Sequence, residues 1–128
     1  MAAVVVVSAL LALTALLGAV TAAVRGGHLD RNHAVGIKTR HTLHCEQCWS
    51  TGHRASLPHL QRAVRVGLVA AAVSGGLALA LRGQSWGEGV AMVGAGAGYL
   101  ALIALTLRSA IVADRAARTV HRPAGSES

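Results

Sequence analysis

Three stretches of this chain carry no charged side chain: Met1 to Val24, Val66 to Leu81 and Gly89 to Leu107. Nothing else in the sequence limits the fold as strongly. A helix needs about 20 mostly apolar residues to cross the hydrocarbon of a bilayer. The first and third blocks reach that length. The second is shorter, but Arg65 and Arg82 at its ends can reach the headgroups with their side chains. Outside the blocks, too little apolar sequence remains for a water-soluble core. The expected fold is an all-α membrane protein with three transmembrane helices. Its segments are a first span over 1–24, a basic loop over 25–62, a second span over 63–81, a turn over 82–88, a third span over 89–112 and a tail over 113–128.

The first block lacks the basic leader of a secretory signal peptide and is too long for one, so it is expected to stay in the membrane. The 25–65 segment carries Arg25, Arg31, Lys38, Arg40, Arg54, Arg62 and Arg65, and the tail adds Arg115, Arg118 and Arg122. The 82–88 turn carries one Arg and one Glu. Lys and Arg collect on the cytoplasmic side. The expected placement is therefore multi-pass in the plasma membrane, with the N-terminus and the turn outside and the loop and tail in the cytoplasm. Small residues recur at spacing four: Ala15, Ala19 and Ala23, then Gly67, Ala71 and Gly75, then Gly94 and Gly98. They predict close helix packing, either within one bundle or, for the third helix, between copies. The oligomeric state stays open.

The formal net charge of +7 does not indicate nucleic acid. Its basic residues flank the spans as topology signals and form no stripe. Only Trp49, Trp86 and Tyr99 offer aromatic rings, too few for base stacking. No Asp, Glu, Lys or Arg sits in the middle of a span, which argues against an ion-coupled transporter built from one copy. A single lysine against eleven arginines suggests a GC-rich bacterial genome.

The first loop holds six of the seven histidines and both cysteines. Thr39 or Thr42 is expected to cap a short interfacial helix running to about Leu57. On it Cys45, Trp49 and His53 share a face, with Trp49 at headgroup depth and Leu43 and Leu57 as anchors. Lys38, Arg40 and Arg54 would face anionic lipid. One reading of the loop is a lipid-anchored connector. Another is a metal site, since His41, His44, Cys45, Cys48, His53 and His59 lie close in sequence and Cys45-x-x-Cys48 has ligand spacing. Cys45, Cys48, His44 and His53 are the compact candidate set. The second pair a strong zinc signature needs is poorly spaced, so no metal or other cofactor is expected. No thioredoxin-like βαβ unit accompanies the CxxC, so a redox role is not expected either. A cytoplasmic loop would keep both thiols reduced. Asp30 and Glu46 are the loop's only carboxylates and stand sixteen residues apart, so no catalytic set is visible.

Asn32, then Gly36-Ile37-Lys38-Thr39, then Thr42, Glu46, Trp49 and His53, followed by a transmembrane hairpin, form a spaced pattern. It resembles the SdpI/YhfL family of small bacterial membrane proteins, and the likeness covers nearly the whole chain. Lys38 stands where the family usually has Arg, Arg40 where it has Pro, and Cys45 where Ser is common. Cys48 has no family counterpart, and the extra N-terminal helices of the better-known immunity members are missing. The resemblance implies a non-enzymatic protein that protects a producing cell from a membrane-active toxin peptide, or that signals at the membrane by holding a regulatory protein. The alternative is a metal-sensing or metal-handling membrane protein that uses the Cys/His loop.

Overall fold

A computed structural model describes residues 1–29 and 36–121. It contains three long helices: α1 (Ala2–Gly26), α2 (Glu46–Ala80) and α3 (Gly87–His121). Each is long and apolar enough to cross a membrane. This is the all-α, multi-pass architecture that the apolar blocks predict.

α1 ends where Gly27 adopts a left-handed conformation (φ 68°), which lets the His28 amide reach back to the Ala23 carbonyl at 3.1 Å. α2 and α3 are joined by a tight turn in which Gly83 has φ 99°. Trp86 in that turn is exposed, as an interfacial Trp should be. The first and last turns show the alternating direction of the helices. The Ala3 amide donates to Glu88 at the start of α3, while the end of α1 meets the start of α2 through Leu29 and Trp49.

Large aliphatic side chains face out of the bundle, and its interior mixes leucines with alanines. Leu68, Val69, Val73, Val93, Leu100, Ile103 and Leu107 point outward and are exposed. Their solvent is lipid, so burying them against one another gains little. Inside lie Leu10, Ala63, Ala71, Ala95 and Leu102. The inward positions of α1 are Ala3, Val7, Leu10, Thr14, Leu17, Thr21 and Val24, an alternation of four and three. Trp49, His53, Ser56, Leu60, Ala63, Gly67, Ala70 and Ser74 continue the same alternation on α2. That is the seam of helices packed at a shallow angle.

The small-residue faces divide. A Cβ on Gly67 would run into the Thr14 side chain, and one on Gly98 would lie 2.6 Å from the Ala70 Cβ and 3.2 Å from Leu10 Cδ2. The second- and third-helix faces therefore set the approach of the helices within the bundle. The α1 face does not: Ala15 and Ala19 are exposed, and the seam of larger residues and threonines packs instead. Buried threonines cost nothing in hydrogen bonds there, because Thr14 and Thr21 donate to the carbonyls of Leu10 and Leu17, both at 2.7 Å.

Among the described residues no separate interfacial helix forms. α2 starts at Glu46, capped by Cys45 rather than by Thr39 or Thr42, and runs unbroken through Pro58 into the second span. Proline removes one backbone donor and crowds the preceding turn. The flanking contacts override it, since Ser56 and Leu60 are both buried on either side. α3 likewise continues past the apolar span to His121.

A candidate functional site in the first loop

The segment from Gly36 to Cys45 folds onto the base of α2 and α3. Trp49 and His53 form its floor. They stand one turn apart on α2 and stack with ring centroids 4.1 Å apart. Both are buried, at 1% and 2% exposure. Trp49 is therefore packed inside the protein and is not an exposed anchor. Its indole N–H donates to the Leu29 carbonyl at 2.7 Å, tying the end of α1 to the start of α2.

His53 has both ring nitrogens committed. Nε2 accepts from the Ile37 amide and Nδ1 faces the Trp49 carbonyl, each at 2.9 Å. Only the neutral ring with its proton on Nδ1 satisfies both. Burial pushes the His53 pKa below its ordinary value, and the Trp49 carbonyl opposes that shift. Gly36 crosses directly above the two rings. Its φ is 140°, and a Cβ there would sit 2.8 Å from Trp49 Cη2 and 3.0 Å from His53 Nε2. Backbone conformation and space both demand glycine at this point.

Thr42 is fully buried and braces the loop from within. Its hydroxyl accepts from the Thr39 amide at 2.8 Å and lies 3.0 Å from the Ile37 carbonyl, to which it donates. Its methyl group occupies the place a side chain on Gly52 would need, at 2.9 Å, and the Ala113 carbonyl stands equally near. Loop, α2 and α3 thus converge at Gly52. Beside this point, His41 Nδ1 meets Asp114 Oδ1 at 2.9 Å, and Arg118 Nε donates to Asp114 Oδ2 at 2.9 Å. Burial alone would raise the Asp114 carboxyl. Hydrogen bonds from Thr39, His41 and Arg118 outweigh it and hold the carboxyl down to about 2. A cavity of about 570 Å³ opens alongside, lined by Thr39, Leu107, Ala110, Ile111, Asp114 and Arg115.

Of the residues singled out by the sequence pattern, Gly36, Ile37, Thr39, Thr42, Trp49 and His53 come together in one hydrogen-bonded unit. Lys38 and Glu46 lie on its exposed side. Asn32 falls outside the described residues. Gly52 and Asp114 belong to the unit and were not singled out. No local signal could have paired Asp114 with His41, 73 residues away. The spacing Trp49–Gly52–His53 hints at a close approach only in hindsight.

The cysteines differ from expectation. Cys45 and Cys48 are joined in a disulfide. The cap position of Cys45 places its sulfur over the first turn of α2, within bonding reach of Cys48. Bonded sulfurs offer no thiolate to a metal. His53 spends its only lone pair on Ile37, so it is not a ligand either. Among the described residues no group of three or more His, Cys, Asp or Glu is placed to hold a metal ion.

In comparisons with known proteins, no family model matched the chain, and neither did any curated protein or solved structure.

Proposed function

We propose that this chain is an SdpI-like protein of the bacterial plasma membrane that acts by binding, without catalysis, through its first loop. The loop and the α3 end lie in the cytoplasm in this reading, and the N-terminus lies outside. The work done is resistance to a membrane-active toxin peptide, or signalling through a regulatory protein held at the membrane. One observation carries the reading. Six of the residues that match the family pattern are locked to one another by the Trp49–His53 floor, the Gly36 crossing and the Thr42 brace. A connector between two spans needs no such interlocking. What it leaves outward is a polar rim with Lys38 and Arg40 exposed, a surface suited to a partner rather than to a substrate.

Lys38→Gln tests this. Lys38 is exposed, and six other basic residues remain between residues 25 and 65 to keep orientation. The variant is expected to reach the membrane at wild-type level and to lose the phenotype that deletion of the gene produces, with sensitivity to a membrane-active peptide measured first. Orientation is checked in a cysteine-free background with an impermeant thiol reagent added to intact cells. Ser85→Cys should label and Gln47→Cys should not. A Lys38→Gln strain indistinguishable from wild type, beside a deletion strain that is not, removes the loop's exposed face from the function.

A further inference from the structure

The cradle that residues 36–45 form on the Trp49–His53 floor does not account for the cysteine pair. Cys45 is the N-cap of a 35-residue helix and Cys48 lies in its first turn. Cys45 is partly exposed, whereas Cys48 is fully buried. The Cys48 amide donates to the Cys45 sulfur at 2.9 Å. We propose that Cys45 and Cys48 form a thiol–disulfide exchange centre, in which Cys45 meets an external thiol and Cys48 is the sheltered partner.

Three features separate this from a structural brace. The bond closes a loop of only four residues, and such a short loop restrains the unfolded chain least. The burial is one-sided, so an incoming thiolate can approach Cys45 but not Cys48. The accessible sulfur is also the one over the helix N-terminus. There the backbone amide and the aligned peptide dipoles stabilise a thiolate, which is the reactive form. A cysteine pair on the cytoplasmic side fits the same conclusion, since disulfides there are mostly transient, catalytic or sensing. The proposal does not depend on immunity or on any binding partner of the loop.

The exchange needs a dithiol as co-reactant. Its first thiolate attacks Cys45 Sγ. The bond to Cys48 breaks, Cys48 leaves as a thiolate and takes up a proton, and Cys45 is held in a mixed disulfide. The second thiol of the co-reactant then attacks its own sulfur in that mixed disulfide. Cys45 is released as a thiolate and the co-reactant leaves as a disulfide. Two electrons and two protons pass to the Cys45–Cys48 pair. The reverse sequence reduces a disulfide on the co-reactant and restores the bond.

The test uses the full chain in membranes, with acid quenching and a mass-tagged maleimide to count free thiols. Dithiothreitol without denaturant should open the pair, and glutathione disulfide should close it again. In the reduced protein, limiting iodoacetamide should modify Cys45 at least about ten-fold faster than Cys48. Cys48→Ser should accumulate a glutathione adduct at Cys45, and Cys45→Ser should form none at Cys48. A pair that resists dithiothreitol until the protein is denatured is a brace, and the proposal fails. It also fails if the thiols stay free in glutathione disulfide, or if the two cysteines alkylate at equal rates. The alkylation of wild-type protein decides the matter even if neither serine variant folds.

Discussion

The two ends of α2 are built on different physics. From Ala63 to Ser74 its buried face is small and mostly apolar, and it meets α1 and α3 through alanine, glycine and serine. From Glu46 to Ser56 its buried face is Cys48, Trp49, Gly52, His53 and Ser56, and it meets a loop through directed hydrogen bonds. Inside the bilayer, lipid competes equally for apolar surface, so tight backbone approach has to supply the association. At the water-facing end, a polar network is worth building because each buried group left unpaired would be costly. The first end holds the helices together, and the second gives one loop a single shape. Substitutions should therefore fail in different ways at the two ends.

The largest effect should follow from Trp49→Ala. It removes the floor of the cradle and the bond to Leu29 together, and loss of a buried Trp costs about 3–5 kcal/mol. The loop should detach while the bundle persists. Limited proteolysis from the loop's side should cut the variant between residues 36 and 45 and leave the wild type intact, with helical content by circular dichroism unchanged. Loss of the whole protein from the membrane would instead make the loop part of the bundle's stability.

Gly98→Leu should strike the other end. Its side chain would collide with Ala70 and Leu10, where all three helices meet, and overpacking of this kind costs about 1–3 kcal/mol. The variant should melt earlier in detergent yet keep the loop resistant to protease up to its melting temperature. Early proteolysis of the loop in this variant would show that the two ends are not independent.

Acid should separate the components of the cradle itself. The His53 pKa is lowered by burial from an ordinary 6.5. Its contribution is thus complete above about 6.5 and is lost as pH falls through the lower folded value, where the ring gains a proton facing the Ile37 amide. The Asp114 carboxyl, held down to about 2, contributes fully above its ordinary 3.8 and is lost only as pH falls through about 2. Trp49 emission, followed in a Trp86→Phe background, should change as pH falls below about 6.5, before the His41–Asp114 contact fails near pH 2. The same change in a His53→Gln variant would place its origin elsewhere.

These contrasts explain what the sequence made legible. The three helices follow from charge-free blocks, because a membrane accepts almost nothing else of that length. The Trp49–His53 face follows from spacing four on a helix. The loop's tertiary shape did not follow. Thr42 read as a helix cap because Ser and Thr favour caps, yet its hydroxyl is used across the loop instead. The expected short helix ended near Leu57, yet packing on both sides of Pro58 carries α2 through it. Ala15, Ala19 and Ala23 matched a packing motif, but periodicity alone does not reveal which of two faces meets a neighbour. The Asp114 clasp joins residues 73 apart, a distance over which local pattern is silent. The disulfide was unreadable for another reason. Two cysteines at ligand spacing suit a metal, a bond or neither, and only the cap geometry of Cys45 distinguishes them.

Residues 36–45 form one folded unit with the base of α2 and α3. Hydrogen exchange at the Ile37 amide tests it most directly, because that donor is bonded to a side chain and to no helix or strand. In wild-type protein at neutral pH, the Ile37 and Thr39 amides should exchange slowly. In His53→Ala the Ile37 amide should exchange at least about ten-fold faster, since its acceptor is gone and the opening free energy falls by at least about 1.4 kcal/mol. Free exchange of both amides in the wild type would mean that no such unit exists and that the loop is a tether.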